Sequence, residues 1–278
     1  MCIRDSFLPF ISISNQVRTW GIETPFFAAT TDFDVHQYWV DSIVAKYYVF
    51  HEESAWQLQS KGVSRGIISV TGIPVMPEFL EHDTKRKARR SLGLGTAPFT
   101  VLTLSGGFGV GRFGEIVRAI VDTFESQSRR RFNLIVVCGK NAEVKSEIAG
   151  MKVPSNVGVQ IHGFVSNIHE MMSAADLVVT KSGGLTSSEA LVKGLPMLIV
   201  DPIPGQELRN ADLIVEQGAG WKAINPANLA YKLTVLLGNP SLLERARKAA
   251  HALARPHAAQ DILTDIYRII QPQHELRT

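Results

Sequence analysis

Cysteine is scarce in this chain: Cys2 and Cys138 are the only two in 278 residues. Two cysteines cannot build the framework of bridges that staples small secreted domains, or a cysteine-ligated metal cluster, and a reducing compartment is the simpler reading. No apolar run reaches the roughly 18–20 residues that span a bilayer, and the N-terminus lacks the basic segment and long apolar stretch of a secretory leader. Neither sign of charge dominates. The 29 Lys and Arg against 26 Asp and Glu leave +3, with a pI near 8.9, too weak a field to point to nucleic acid. No convincing metal-ligand cluster, internal repeat or low-complexity tract is evident. What the chain does have is 45% hydrophobic and 20% charged residues, the composition of a globular protein with a sizeable core rather than a disordered one.

Apolar runs and helical patterns alternate along the chain, which indicates a parallel sheet with helical crossovers. Strands are expected at Pro25 to Thr31, Lys46 to Phe50 and Ile67 to Thr71, with a helix from Glu53 to Lys61 closed by Gly62. Gly72 to His82, with Pro74 and Pro77, reads as a linker. A second series follows: helix Lys85 to Leu92, strand Phe99 to Leu104, helix Gly114 to Ser126, strand Phe132 to Cys138, a helix near Ala142 to Met151 and strand Val157 to Ile161. Helix Ile168 to Ala174, strand Leu177 to Thr180, helix Leu185 to Lys193, strand Met197 to Val200, helix Gln206 to Glu216 and a final helical array complete it. This predicts a doubly wound α/β domain over 83–255, preceded by the remnant of another over 1–82 and followed by a returning helix over 256–278. Met1 to Ser6 resembles translated adaptor sequence, so a reading frame truncated at its N-terminus by about 100 residues, one typical domain, is expected.

The most informative segment runs from Asp176 to Glu189, with Gly205-Gln206-Glu207 one βα unit later. An apolar strand enters Ser182-Gly183-Gly184-Leu185-Thr186, which opens a helix carrying Glu189 one turn on. Small residues let the backbone approach phosphates, and a helix N-terminus supplies unpaired N–H groups and a positive dipole end. The carboxylate suits the two hydroxyls of a ribose. The bland alternative is an ordinary strand–turn–helix junction, where Gly and Ser are common for geometric reasons. The glycine loop Ser105 to Gly111 is a weaker signal. Gly107, Gly109 and Gly111 give G-x-G-x-G rather than the dinucleotide spacing, which disfavours a Rossmann dehydrogenase.

These segments, with Thr31 to Trp39, Thr71-Gly72-Ile73-Pro74-Val75, Cys138-Gly139-Lys140-Asn141, Gly163 to Ile168, and Pro204 to Glu207 with Asn210, make the chain resemble the monogalactosyldiacylglycerol synthases and processive diacylglycerol glucosyltransferases. These are cousins of the peptidoglycan lipid-linked N-acetylglucosaminyltransferase. The resemblance runs from about Pro25 to the C-terminus. It implies the glycosyltransferase B fold, with the last helix crossing back onto the N-terminal domain, and inverting transfer of a hexose from a UDP-sugar to diacylglycerol.

By that resemblance, Phe164 and Val165 sit where the uracil is held, and Ser182, Gly183, Gly184, Leu185 and Thr186 where the diphosphate is cradled. Glu189 falls where the ribose is gripped, Gln206 and Glu207 where the hexose hydroxyls are reached, and Asn210 one turn along. Gly107, Phe108 and Gly109 belong to a loop facing the diphosphate. For Gln206 and Glu207 the alternative is a helix start with a favourable acid. His36, with Trp39 at i, i+3 on one helical face and Asp32 just before, is a candidate for proton handling or acceptor positioning; a histidine merely bonded to Asp32 or Asp34 is as good a reading. The resemblance places the better-attested base in a glycine–histidine loop of the N-terminal domain, which no segment of this chain matches, so activity of the chain itself is in question.

No cofactor is expected, because the UDP-sugar is a co-substrate and helix N–H groups meet the leaving-group charge. The basic runs Lys85-Arg86-Lys87 with Arg89-Arg90, and Arg129-Arg130-Arg131, are either solvated helix faces or contacts to anionic lipid. The expected location is cytoplasmic, peripheral on the inner face of the membrane, with no nucleic-acid partner. Alternatives are transfer to another lipid-linked acceptor such as a peptidoglycan precursor, a catalytically silent UDP-sugar-binding fragment, or a UDP-sugar epimerase, for which the acidic and histidine catalytic groups are not seen.

Overall fold

The computed structural model describes residues 7–81, 83–106 and 112–271. Their contacts separate into two compact units, one holding the described residues up to Val75 together with those from Arg255 onward, the other Met76–Ala254.

In the first unit, helix α1 (Phe7–Trp20) precedes strands β1 (Phe26–Ala29) and β2 (Val44–Val49), helix α2 (Glu52–Ser60) and strand β3 (Ile68–Val70). The strands pair in parallel in the order β1-β2-β3. Alternation decides the faces. Ala28, Tyr47, Val49 and Ile68 join Phe10 of α1, Trp39, and Ala55 and Leu58 of α2 in one buried cluster, where the Phe10 ring stacks on Phe26 at 5.4 Å. Helix α1 has no counterpart in the sequence reading. Its apolar residues are interrupted by Ser, Asn and Gln, and Ser14 is buried to donate to Asp41 Oδ2 at 2.5 Å. The predicted helical face for His36 and Trp39 shrinks to one 3₁₀ turn, Gln37–Trp39, with His36 as its N-cap. A single turn cannot carry an i, i+3 face outward: Trp39 goes into the core and His36 into solvent. Gly72, at φ +93°, lets two chain segments touch, because a Cβ there would lie 2.2 Å from Arg255 Cβ.

The second unit begins with a 3₁₀ turn, Pro77–Leu80, where the sequence suggested a linker. Helix α3 (Lys85–Ser91) leads to strand β4 (Phe99–Leu104), helix α4 (Phe113–Glu125), strand β5 (Phe132–Val137), helix α5 (Ala142–Ala149) and strand β6 (Val157–His162). Helix α6 (Ile168–Ala174), strand β7 (Leu177–Thr180), helix α7 (Gly184–Val192), strand β8 (Met197–Val200), helix α8 (Gln206–Glu216) and strand β9 (Gly220–Ala223) follow, then helices α9 (Pro226–Gly238) and α10 (Pro240–Leu253). The sheet is parallel, in the order β6-β5-β4-β7-β8-β9. Strand order therefore reverses direction between β4 and β7, as a doubly wound sheet requires. Helix α4 shows why the layers close. Phe113, Ile116, Val117, Ile120 and Phe124 recur at helical spacing on one buried stripe, and Phe124 stacks on Phe132 of β5 at 4.1 Å. Strand β9 has no counterpart in the expected series because, unlike the apolar β7 and β8, it reads Gly-Trp-Lys-Ala; at Gly220 a Cβ would lie 2.5 Å from the Met197 carbonyl.

Two of the five basic residues of the first run point inward. Lys85 and Arg89, four apart on α3, both reach Asp176 at the foot of β7: Lys85 Nζ at 2.5 Å and Arg89 Nη2 at 2.6 Å. Arg89 also donates to the carbonyls of Ala174 and Thr96, and the Thr100 N–H donates to Asp176 Oδ2 at 2.8 Å. In the second run, Arg130 donates to the Leu237 carbonyl and lies over the Phe132 ring.

Helix α11 (Ala258–Ile270) belongs to the first unit, where Asp265 lies 3.7 Å from Lys46 of β2. No helix among the described residues is long and apolar enough to cross a membrane.

Candidate functional site

In an open parallel sheet, ligands bind beyond the carboxyl ends of the strands where strand order reverses. In Met76–Ala254 that point lies between β4 and β7. Beyond β4 come Ser105 and Gly106, the latter at φ +75°; Gly107, Phe108 and Gly109 lie outside the described residues. Beyond β7 the chain passes Lys181 and Ser182 and enters α7.

Gly183 caps α7 in extended backbone, with no side-chain bond to the first turn. Among the described residues no side-chain oxygen caps the first-turn amides of Gly184, Leu185 and Thr186, which lie at the positive end of the helix. The Thr186 side chain has no hydrogen bond among the described residues. One turn on, Glu189 is largely buried, and burial alone pushes its carboxyl up to about 7. No hydrogen bond or ion pair reaches that carboxyl from any described residue. A buried carboxyl without a partner is costly unless a ligand completes it.

The loop after β8 is tied down by the very residues that sequence reasoning put against a ligand. Asp201 takes a positive φ of 41° and pairs with Arg112 at 2.7 Å, and Gly205 takes φ +101° at the cap of α8. Glu207 Oε2 accepts from the Ile203 N–H at 2.7 Å. Ser182 Oγ is buried and donates to the Glu207 carbonyl at 2.5 Å, while fully buried Asn210 donates to the Ser182 carbonyl at 2.9 Å. Ser182 and Asn210 thus clip α8 to the approach of α7, and their side chains are engaged inside that joint. Gln206 makes no such bond. The Arg112–Asp201 pair was not anticipated. Its only signal in the sequence was an acid directly after an apolar strand.

The loops after β5 and β6 adjoin. The Cys138 N–H donates to the His162 carbonyl at 2.9 Å, and Phe164, 74% exposed, stands beyond them with partly buried Val165 beside it. Phe164, Thr186, Glu189 and Gln206 all follow the carboxyl ends of strands in one sheet. His36 and Asp32 belong to the other unit. His36 Nδ1 accepts from the Tyr38 N–H at 3.2 Å. Among the described residues, no three His, Cys, Asp or Glu side chains are grouped to hold a metal ion.

Residues 100–262 match the glycosyltransferase family 28 C-terminal domain, and residues 10–75 match monogalactosyldiacylglycerol (MGDG) synthase. A processive diacylglycerol beta-glucosyltransferase of Bacillus pumilus is 30% identical over 259 residues, covering 93% of this chain and 66% of the relative. A probable monogalactosyldiacylglycerol synthase 2, chloroplastic, of Oryza sativa subsp. japonica is 32% identical over 254 residues, 90% of this chain and 54% of the relative. The chain thus spans between about half and two thirds of these proteins. Among solved structures, Acinetobacter baumannii MurG superposes with a TM-score of 0.66 at 19% identity, covering 92% of this chain and 69% of that one. A UDP-GlcNAc 2-epimerase from Neisseria meningitidis, bound to UDP-GlcNAc, gives 0.67 at 16% identity, covering 92% and 72%.

Proposed function

The chain belongs to glycosyltransferase family 28 and has the glycosyltransferase B fold, and on that footing we propose that Met76–Ala254 binds the UDP-hexose donor of a glycosyltransferase acting on diacylglycerol. The observation that carries the reading is Glu189: a largely buried carboxyl with no partner among the described residues, one turn beyond an uncapped helix start. A nucleotide answers both needs, because its diphosphate takes the amides of Gly184, Leu185 and Thr186 and its ribose diol donates to the carboxylate. The base then extends toward Phe164 and Val165, and Gln206 meets the hexose. Ser182, Asn210 and Glu207 act by holding the loops in place. The acceptor class is supported by the activities for which the two relatives are named. In the proposed transfer, a base takes the proton of the acceptor hydroxyl, that oxygen attacks the anomeric carbon, and UDP departs onto the α7 amides, with no cofactor. We place the work at a membrane surface, since a diacylglycerol acceptor resides there.

Calorimetric titration of the chain with UDP and with ADP tests the donor class; clear preference for UDP is expected, and equal or absent binding of both would sink it. Labelled UDP-glucose and UDP-galactose offered with diacylglycerol in anionic vesicles test the acceptor class and the choice of hexose. We expect the 278-residue chain to bind donor and to transfer little, because it matches only about two thirds of a relative that bears the transferase activity.

Donor affinity is also expected to depend on pH. The raised Glu189 pKa means that the unliganded site holds a proton up to about pH 7, whereas two ribose hydroxyls favour the ionised form. Binding therefore expels the proton and strengthens as pH rises: between pH 6 and 8 the affinity for UDP-glucose grows about tenfold. In folding the sign is opposite, since the unfolded carboxyl ionises near 4.5 and stability is lost as pH climbs from there toward 7. Titrating UDP-glucose rather than UDP keeps the terminal phosphate ionisation, near 6, out of the measurement. A flat profile from pH 6 to 8 would count against the ribose contact.

A further inference from the structure

The four-residue segment Cys138-Gly139-Lys140-Asn141 is accounted for at three positions. Cys138 is fully buried in the core. Gly139 turns the chain at φ +60°, a conformation that favours glycine, and its carbonyl lies within van der Waals reach of Gly163, so the two loops adjoin. Asn141 caps α5 by accepting from the Val144 N–H at 3.0 Å. Lys140 alone has no structural task. It is exposed, it forms no hydrogen bond or ion pair among the described residues, and its ammonium lies 5.9 Å from the centroid of the Phe164 ring. Phe164 is itself 74% exposed. A cation held over an exposed aromatic ring, with its N–H donors unspent, is set to meet an acceptor arriving beside that ring.

Sheet order says which acceptor. The ribose proposed at Glu189 lies beyond β7, while Lys140 and Phe164 follow β5 and β6, and β4 stands between β7 and β5. Two strand spacings amount to roughly 10 Å. A pyrimidine that bridges them points its far edge, position 4, at the β5 and β6 loops, and its O2, next to the glycosidic bond, back toward the ribose. Uracil, like thymine, carries an acceptor oxygen at position 4, and cytosine carries an amino donor there.

We infer that Lys140 is a base-specificity residue whose ammonium donates to O4 of the donor's uracil and repels the amino group of cytosine. This deepens the UDP-sugar reading and rests on it. A hydrogen-bonding site rejects an analogue that leaves its donor facing another donor.

The test is titration of UDP and CDP into the full chain and into its Lys140→Met and Lys140→Arg variants, with circular dichroism to verify folding; both substitutions are at an exposed side chain. The wild type is expected to favour UDP over CDP. Lys140→Met is expected to weaken UDP about tenfold while leaving CDP nearly unchanged, so that the preference collapses, and Lys140→Arg is expected to retain most of it. A wild-type preference that survives Lys140→Met would overturn the role of Lys140 and leave the donor reading standing. Equal weakening of both nucleotides would overturn it too, since the ammonium would then be serving the diphosphate. If the wild type bound neither nucleotide, the donor reading and the inference would fall together.

Discussion

Asp176→Ala is expected to destabilise the chain by roughly 3–5 kcal/mol, the usual cost of removing one partner of a buried ion pair. Three donors converge on that carboxylate: Lys85, Arg89 and the Thr100 amide. Arg89 is 5% exposed, so losing Asp176 leaves a guanidinium out of water with only carbonyls to bond, and strands the amide that opens β4. Burial already pulls the Lys85 pKa down against the pull of Asp176, and without the carboxylate that burial stands unopposed. Asp176→Asn keeps an acceptor and is expected to fall between wild type and alanine. Urea denaturation is the measurement; a change below about 1 kcal/mol, the range of an exposed pair, would show that the cluster contributes no more than surface charge does.

The second large effect is on binding. Glu189→Ala is expected to weaken UDP and UDP-hexose alike, by roughly 1.5–3 kcal/mol for a charged hydrogen-bond acceptor, because the ribose is common to both. It is also expected to raise the stability of the unliganded chain at pH 8, where an ionised, unpartnered carboxyl is a burden. Gln206→Ala is expected to leave UDP nearly unaffected and to weaken only the sugar nucleotide. Should Gln206→Ala cost free UDP as much as Glu189→Ala does, the division between ribose and hexose contacts is wrong.

Much of the fold was legible because the unit Met76–Ala254 is built from local signals. Apolar runs such as Leu177 to Thr180 are short and bounded by polar residues, and helices such as Phe113–Glu125 carry one apolar stripe, so the doubly wound order could be read without knowing any distant contact. The uncapped start of α7 and Glu189 were legible for the same reason: backbone chemistry and one carboxylate lie within seven residues of sequence. Side-chain commitments across long separations were not. Nothing local says that Ser182 and Asn210 are engaged with each other's helix start, or that Lys85 and Arg89 face an aspartate some ninety residues on. The contact of His36 with a backbone amide two residues away depends on a 3₁₀ turn that no local pattern announces.

Strand β7 is four residues long, about 13 Å from end to end. Its foot meets the charge cluster on Asp176, and its head opens into the uncapped helix. Structural integrity and ligand choice therefore sit at opposite tips of one short rod, out of reach of each other's side chains. Substitutions beyond the carboxyl ends of the neighbouring strands, on the same side as that head, can likewise accumulate without loosening the foot. In a directed-evolution library, changes at Lys140, Phe164 and Gln206 would shift donor preference at little cost in melting temperature, whereas changes at Lys85, Arg89 or Asp176 would be purged for folding before their effect on chemistry could be scored.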